Sequence, residues 1–142
     1  MKIVLGLLLM FISLFADVNW NSYEQMQKDF LNKKIDKPII LFVGESKCQY
    51  CIEYKNSMKN SRDFFVFVNK NYYNVYVNQD QVQINKPYEA IYTPTIFVLN
   101  PENLMPMLPE PALGAIEINE MKNYLEKVLG AYKDYKVTKG NK

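Results

Sequence analysis

Cys48 and Cys51 are the only cysteines in the chain, and they stand three residues apart in Cys48-Gln49-Tyr50-Cys51. On a helix that spacing brings two sulfurs within one turn, close enough to form a disulfide, or for one thiol to displace a partner captured by the other. What surrounds the pair sets its chemistry. Residues 38–43, Pro-Ile-Ile-Leu-Phe-Val, form a continuous apolar run suited to a strand buried on both faces. Residues 44–47 make a short loop, and residues 48–58 read as a helix. Cys48 thus falls at a first helical turn, where the backbone N–H groups lack intrahelical partners and the dipole is positive, so a thiolate is stabilised. Lys47 adds a neighbouring positive charge. A free thiol with a pKa of ~8.5 is only slightly ionised at neutral pH, and a helix N-terminus lowers that value by about one to several units. Cys48 is the expected nucleophile and Cys51 the resolving thiol. Two other readings stand beside this one. A structural staple across so short a loop removes little unfolded-chain entropy. A metal site without histidine needs four cysteines, and so two chains.

The sequence contains no histidine. That excludes Cys-His and Ser-His-Asp catalysis, HExxH metalloproteases and His-ligated zinc or iron. Seventeen basic residues against fifteen acidic ones give a formal net charge of +2, which carries no electrostatic signature of a nucleic-acid partner. With 49% hydrophobic and 23% charged residues, the 142-residue chain has the composition and length of one folded domain. The apolar run 3–15 follows Lys2 and ends at small Ala16, before Asp17, Asn19 and Asn21. It is too short for a helix across a bilayer, which takes about 20 apolar residues, and reads as a signal peptide over 1–16. Leu14 stands where a small residue is preferred for cleavage, so an uncleaved membrane anchor is the alternative. The expected product is a periplasmic domain over 17–142.

Other elements must hold the cysteine motif in place. Tyr23, Met26, Phe30 and Leu31 recur at helical spacing over 23–31, with Asn21 or Ser22 as the cap. A second helix start, Ser61-Arg62-Asp63, leads into the apolar stretch 64–68, read as helix. Residues 72–77 alternate as a strand, 87–91 suggest a short helical turn, and 95–99 form a further strand. After the Asn100-Pro101-Glu102-Asn103 turn, 104–108 are expected to pair back as an edge strand, the place where Pro106 is tolerated. Met121, Tyr124, Leu125, Val128 and Leu129 mark a last helix over 118–132, with a polar, fraying tail over 133–142.

The order of these elements, Cys48-Gln49-Tyr50-Cys51 after one strand and Thr93-Pro94-Thr95 before another, resembles the thioredoxin superfamily over nearly all of 17–142. That resemblance implies an α/β, thioredoxin-like fold, a central mixed β-sheet flanked by α-helices. It also implies a cis peptide at Pro94, with Thr93 offering its backbone to an extended substrate peptide. Tyr50, Glu45 and Thr93 make the site similar to DsbC-type isomerase domains and to SoxW-like small thioredoxins. The implied activity is that of an exported thiol-disulfide oxidoreductase that reduces or isomerises disulfides in periplasmic proteins. Its implied partners are disulfide-containing client proteins and a membrane electron donor of DsbD type, with no bound cofactor or metal, since the cysteine pair itself stores two electrons. Reductase is favoured over oxidase, because the Cys-Pro-His-Cys of strong oxidants is absent. The family's buried aspartate is also missing from the 38–43 strand, so proton transfer at Cys51 needs another group, and Glu45 is the candidate. Tyr50, Tyr92, Met105, Met107 and Leu108 are expected as an apolar rim for the client. The reading from another class is a thioredoxin-like binding or chaperone module with a non-catalytic disulfide.

Overall fold

A computed structural model describes residues 16–141. The expected signal peptide, apart from Ala16, therefore lies outside the described residues. Among the described residues, no helix is long and apolar enough to cross a membrane.

In chain order the elements are β1 (Trp20–Asn21), α1 (Tyr23–Leu31), β2 (Ile39–Gly44), α2 (Gln49–Asn60), α3 (Arg62–Asn71), β3 (Tyr73–Asn78), a 3-10 turn (Lys86–Tyr88), β4 (Thr95–Leu99), β5 (Ala112–Leu113) and α4 (Ile118–Gly140). Ser22 starts α1, its hydroxyl accepting the Gln25 N–H at 3.0 Å. The strands lie in the order β1-β3-β2-β4-β5. β3 runs parallel to both β1 and β2, as a crossover through two helices permits, while β2–β4 and β4–β5 are antiparallel. All six residues of β2 are buried, which places this apolar run at the sheet centre.

Alternation along β2 divides the core into two layers. Ile40 and Phe42 pack with Cys51, Tyr54 and Met58 of α2, Phe64 and Val68 of α3, and Met121 and Leu125 of α4. On the other face, Ile39, Leu41 and Val43 pack with Tyr23 and Met26 of α1 and with Tyr88 of the 3-10 turn. The result is a mixed sheet between helical layers, the fold class that the resemblance implied.

Two local expectations are corrected. Residues 104–108 do not form a strand; they contribute one bridge, Leu99 to Pro106, and the edge partner of β4 is instead β5. Pro106 cannot donate to a ladder, which limits pairing there. The polar tail does not fray at 133, since α4 continues to Gly140. Glu102 holds it through Lys136 at 3.0 Å and Lys139 at 2.6 Å. The structure adds β1, a strand of two residues too short to show alternation.

Candidate active site

Cys48 is the N-cap of α2, and its Sγ accepts the Cys51 N–H at 3.1 Å. A free N–H of the first turn is therefore aimed at the sulfur, the arrangement that stabilises negative charge there. The two cysteines are joined as a disulfide, with Cα atoms 5.2 Å apart. Cys48 is half-buried, whereas Cys51 is 0% exposed and packs in the core with Phe42 and Tyr54. A partner approaching from solvent meets Cys48 first.

The register of β2 against β4 brings the second motif to the same end of the sheet. Val43 lies opposite Thr95, so Thr93-Pro94 enters β4 beside the loop that leaves β2 for α2. The Thr93–Pro94 peptide is cis. Pro94 is buried, its carbonyl accepting from the Gly114 N–H at 2.9 Å, while Thr93 is half-buried. Thr95 Oγ1 donates to the Tyr92 carbonyl at 2.6 Å.

Tyr50 is 69% and Tyr92 71% exposed, as a client-facing surface would require. The expected rim is nevertheless not continuous. Tyr50 borders a hollow with Tyr54, Ile116 and Glu117. Tyr92 and Leu108 line another with Ile91 and Leu113, and Met105 and Met107 face a third beside Tyr132 and Tyr135.

Glu45 is exposed, and its carboxylate accepts from Gln79 Nε2 at 3.0 Å. Its backbone carbonyl accepts from the Cys48 N–H at 3.2 Å. The polar atoms behind Cys51 come from β3 instead. A Cβ on Gly44 would stand 2.8 Å from the Tyr76 hydroxyl, 3.3 Å from Cys51 Sγ and 3.4 Å from Asn78 Oδ1. All three atoms therefore converge on the space that glycine leaves open. Tyr76 donates to Asn78 Oδ1 at 2.9 Å, and Lys55 Nζ of α2 lies 3.7 Å from the Tyr76 ring centroid. Burial pushes the Lys55 ammonium below its ordinary pKa, with Asp17 opposing that shift. Burial, followed by the charge of Asp80, pushes the Tyr76 phenol up.

None of Tyr76, Asn78 and Lys55 is singled out by the sequence. The available signal was the alternation Asn74, Tyr76, Asn78, polar groups on one face of an otherwise apolar strand.

No family model matches the chain. The germline-specific thioredoxin Deadhead (thioredoxin-1) of Drosophila melanogaster superposes with a TM-score of 0.57 at 17% identity, covering 80% of this chain and 98% of that one. A DsbH oxidoreductase superposes with a TM-score of 0.50 at 21% identity, covering 83% of this chain and 86% of that one. The fold is that of the thioredoxins, and it carries a Cys-x-x-Cys pair. An uncharacterised protein of Archaeoglobus fulgidus is 30% identical over 95 residues, which are 64% of this chain and 72% of that protein. The chain belongs to the family of that archaeal protein.

Proposed function

We propose that the chain is a protein thiol-disulfide oxidoreductase working in the reducing direction on exported proteins. The observation that carries this reading is the position of Cys48, half-buried at a helix N-terminus with its Sγ bonded by a first-turn amide, and with buried Cys51 one turn on. The thioredoxin-like oxidoreductase folds it resembles support the same class. In the forward reaction the Cys48 thiolate attacks one sulfur of a client disulfide, and the other client sulfur leaves as a thiolate. The Cys51 thiolate then attacks Cys48 Sγ and expels the second client thiolate. The client gains two electrons, and the pair becomes the disulfide. A membrane donor of DsbD type would return the electrons. Thr93, with cis Pro94 behind it, would present its backbone to an extended client, and exposed Tyr50 would contact that client's side chains. Export rests on the apolar run 3–15 after Lys2.

Two variants test the reading. Cys48→Ser should abolish insulin reduction, and Cys51→Ala should accumulate client proteins covalently bound through Cys48. Full insulin reduction by Cys48→Ser, with no trapped complexes in Cys51→Ala cells, would return the protein to the binding-module class. Fractionation of those cells locates the trapped complexes, and complexes found only in cytosol would overturn export.

A further inference from the structure

Resting on the oxidoreductase reading, we infer that the Tyr76 hydroxyl is the hydrogen-bond donor that stabilises the Cys51 thiolate during resolution, exchanging its bond to Asn78 Oδ1 for one to the sulfur. The reason lies in an otherwise unexplained vacancy in the sheet. Gly44 ends the central strand, where a side chain would normally add packing, yet a Cβ there would stand 2.8 Å from the Tyr76 hydroxyl and 3.3 Å from Cys51 Sγ. Cys51 is 0% exposed, so a thiolate formed on it is cut off from water and needs a donor within the protein. The side-chain oxygens nearest that Cβ position are those of Tyr76 and Asn78, and of the two residues Tyr76 carries the hydroxyl. Its present acceptor, Asn78 Oδ1, lies 3.4 Å from the same point, so the exchange turns the O–H from one atom bordering that space toward another. The half-buried Lys55 ammonium over the ring strengthens the phenol as a donor. Asp80, exposed beyond β3, and Asp17, near Lys55, are the opposing charges, while Glu45 is occupied by Gln79.

The step balances simply. The Cys51 thiol loses its proton to bulk solvent in the equilibrium that the pH range reads, the resulting thiolate, with no water beside it, accepts the Tyr76 O–H, its electron pair forms the bond to Cys48 Sγ, and the partner's sulfur leaves as a thiolate.

The test uses the reduced full chain mixed with the aromatic disulfide 5,5′-dithiobis(2-nitrobenzoate), following coloured thiolate release over a range of pH. The first equivalent reports capture by Cys48, the second resolution by Cys51. Tyr76→Phe should leave the first phase within about twofold and move the half-maximal pH of the second up by about one to two units, the range expected for one bond to a charged group. Each unit lowers the thiolate fraction tenfold and returns about threefold in nucleophilicity, so resolution at neutral pH should slow by about threefold to tenfold. Asn78→Ala frees the hydroxyl from its competitor and should move the same profile down, an effect that Tyr76→Phe in the same chain removes. A structural role would not produce opposite signs. A second-phase profile unmoved by Tyr76→Phe, or unmoved or raised by Asn78→Ala, overturns this inference, and the latter decides alone if the phenylalanine variant does not fold. A first phase no faster than that of Cys48→Ser would instead overturn the oxidoreductase reading.

Discussion

A single missing methyl group shapes this site. Gly44 is buried at the end of the central strand, and the hypothetical Cβ lies 2.8 Å from the Tyr76 hydroxyl, closer than such contacts occur. The ring cannot withdraw easily, because Trp20 and Phe42 stand against it at centroid distances of 5.9 and 5.1 Å. Gly44→Ala would ordinarily gain from reduced unfolded-chain entropy. Here overpacking should outweigh that gain and destabilise the protein by about 1–3 kcal/mol. A lowered urea midpoint with an unchanged slope is the expected result, and an unchanged or raised midpoint would show that the ring yields. At this scale, legibility in the sequence followed distance along the chain. The cysteine pair and Thr93-Pro94 are local patterns whose chemistry depends on immediate neighbours. Tyr76 and Asn78 reach Cys51 only because Asn78 pairs with Gly44 across a parallel ladder, a register that no local spacing encodes. The partner of the Glu45 carboxylate, Gln79, likewise comes from just past the end of β3 and not from the motif.

Elements were legible where they carry an apolar face and a cap, as with α1 behind Ser22 and the buried run of β2. They were illegible where pairing or charge supplies the structure. β1 and β5 have two residues each and cannot display a period, and both exist because a neighbouring strand offers an open ladder. The end of α4 is exposed on every side, so no hydrophobic stripe announces it. Its anchor is Glu102, whose carboxyl is held below its ordinary value of 4.5 by the hydrogen bonds from Lys139 and Lys136, while both lysines are held above 10.5 by the same contacts. A lowered carboxyl pKa contributes stability above its unfolded value, and that contribution is lost as pH falls through the lower folded value. The raised lysines contribute below 10.5 and lose that contribution as pH rises through their folded values. Amide exchange over 133–140 should therefore be slowest across the broad interval between those limits and accelerate outside it, beyond the intrinsic change of exchange rate with pH. Glu102→Gln should abolish that interval, and added salt should narrow the difference between the two proteins. If the variant shows the wild-type pattern, helix propensity alone maintains the tail.

On the scale of the whole molecule, one strand joins both packing layers to the site. Leu41 and Phe42 are adjacent, each 0% exposed, and they face opposite sides: Leu41 toward α1 and the 3-10 turn, Phe42 toward α2, α3 and α4. Neither layer can come apart without disturbing β2, and β2 ends at the glycine beside Cys51. Unfolding should therefore be a single transition. The chain's one tryptophan allows the idea to be tested, because Trp20 packs edge-on to Phe42 at 5.8 Å and reports only the layer that contains the cysteines. Leu41→Ala removes volume from the opposite layer and should cost about 2–5 kcal/mol, while Phe42→Ala should cost about 3–5 kcal/mol on the Trp20 side. In both variants, Trp20 fluorescence and far-UV circular dichroism should trace one coincident denaturant curve. A Leu41→Ala protein whose dichroism falls before its fluorescence would mean that the α1 layer opens independently. The site would then rest on only half of the core.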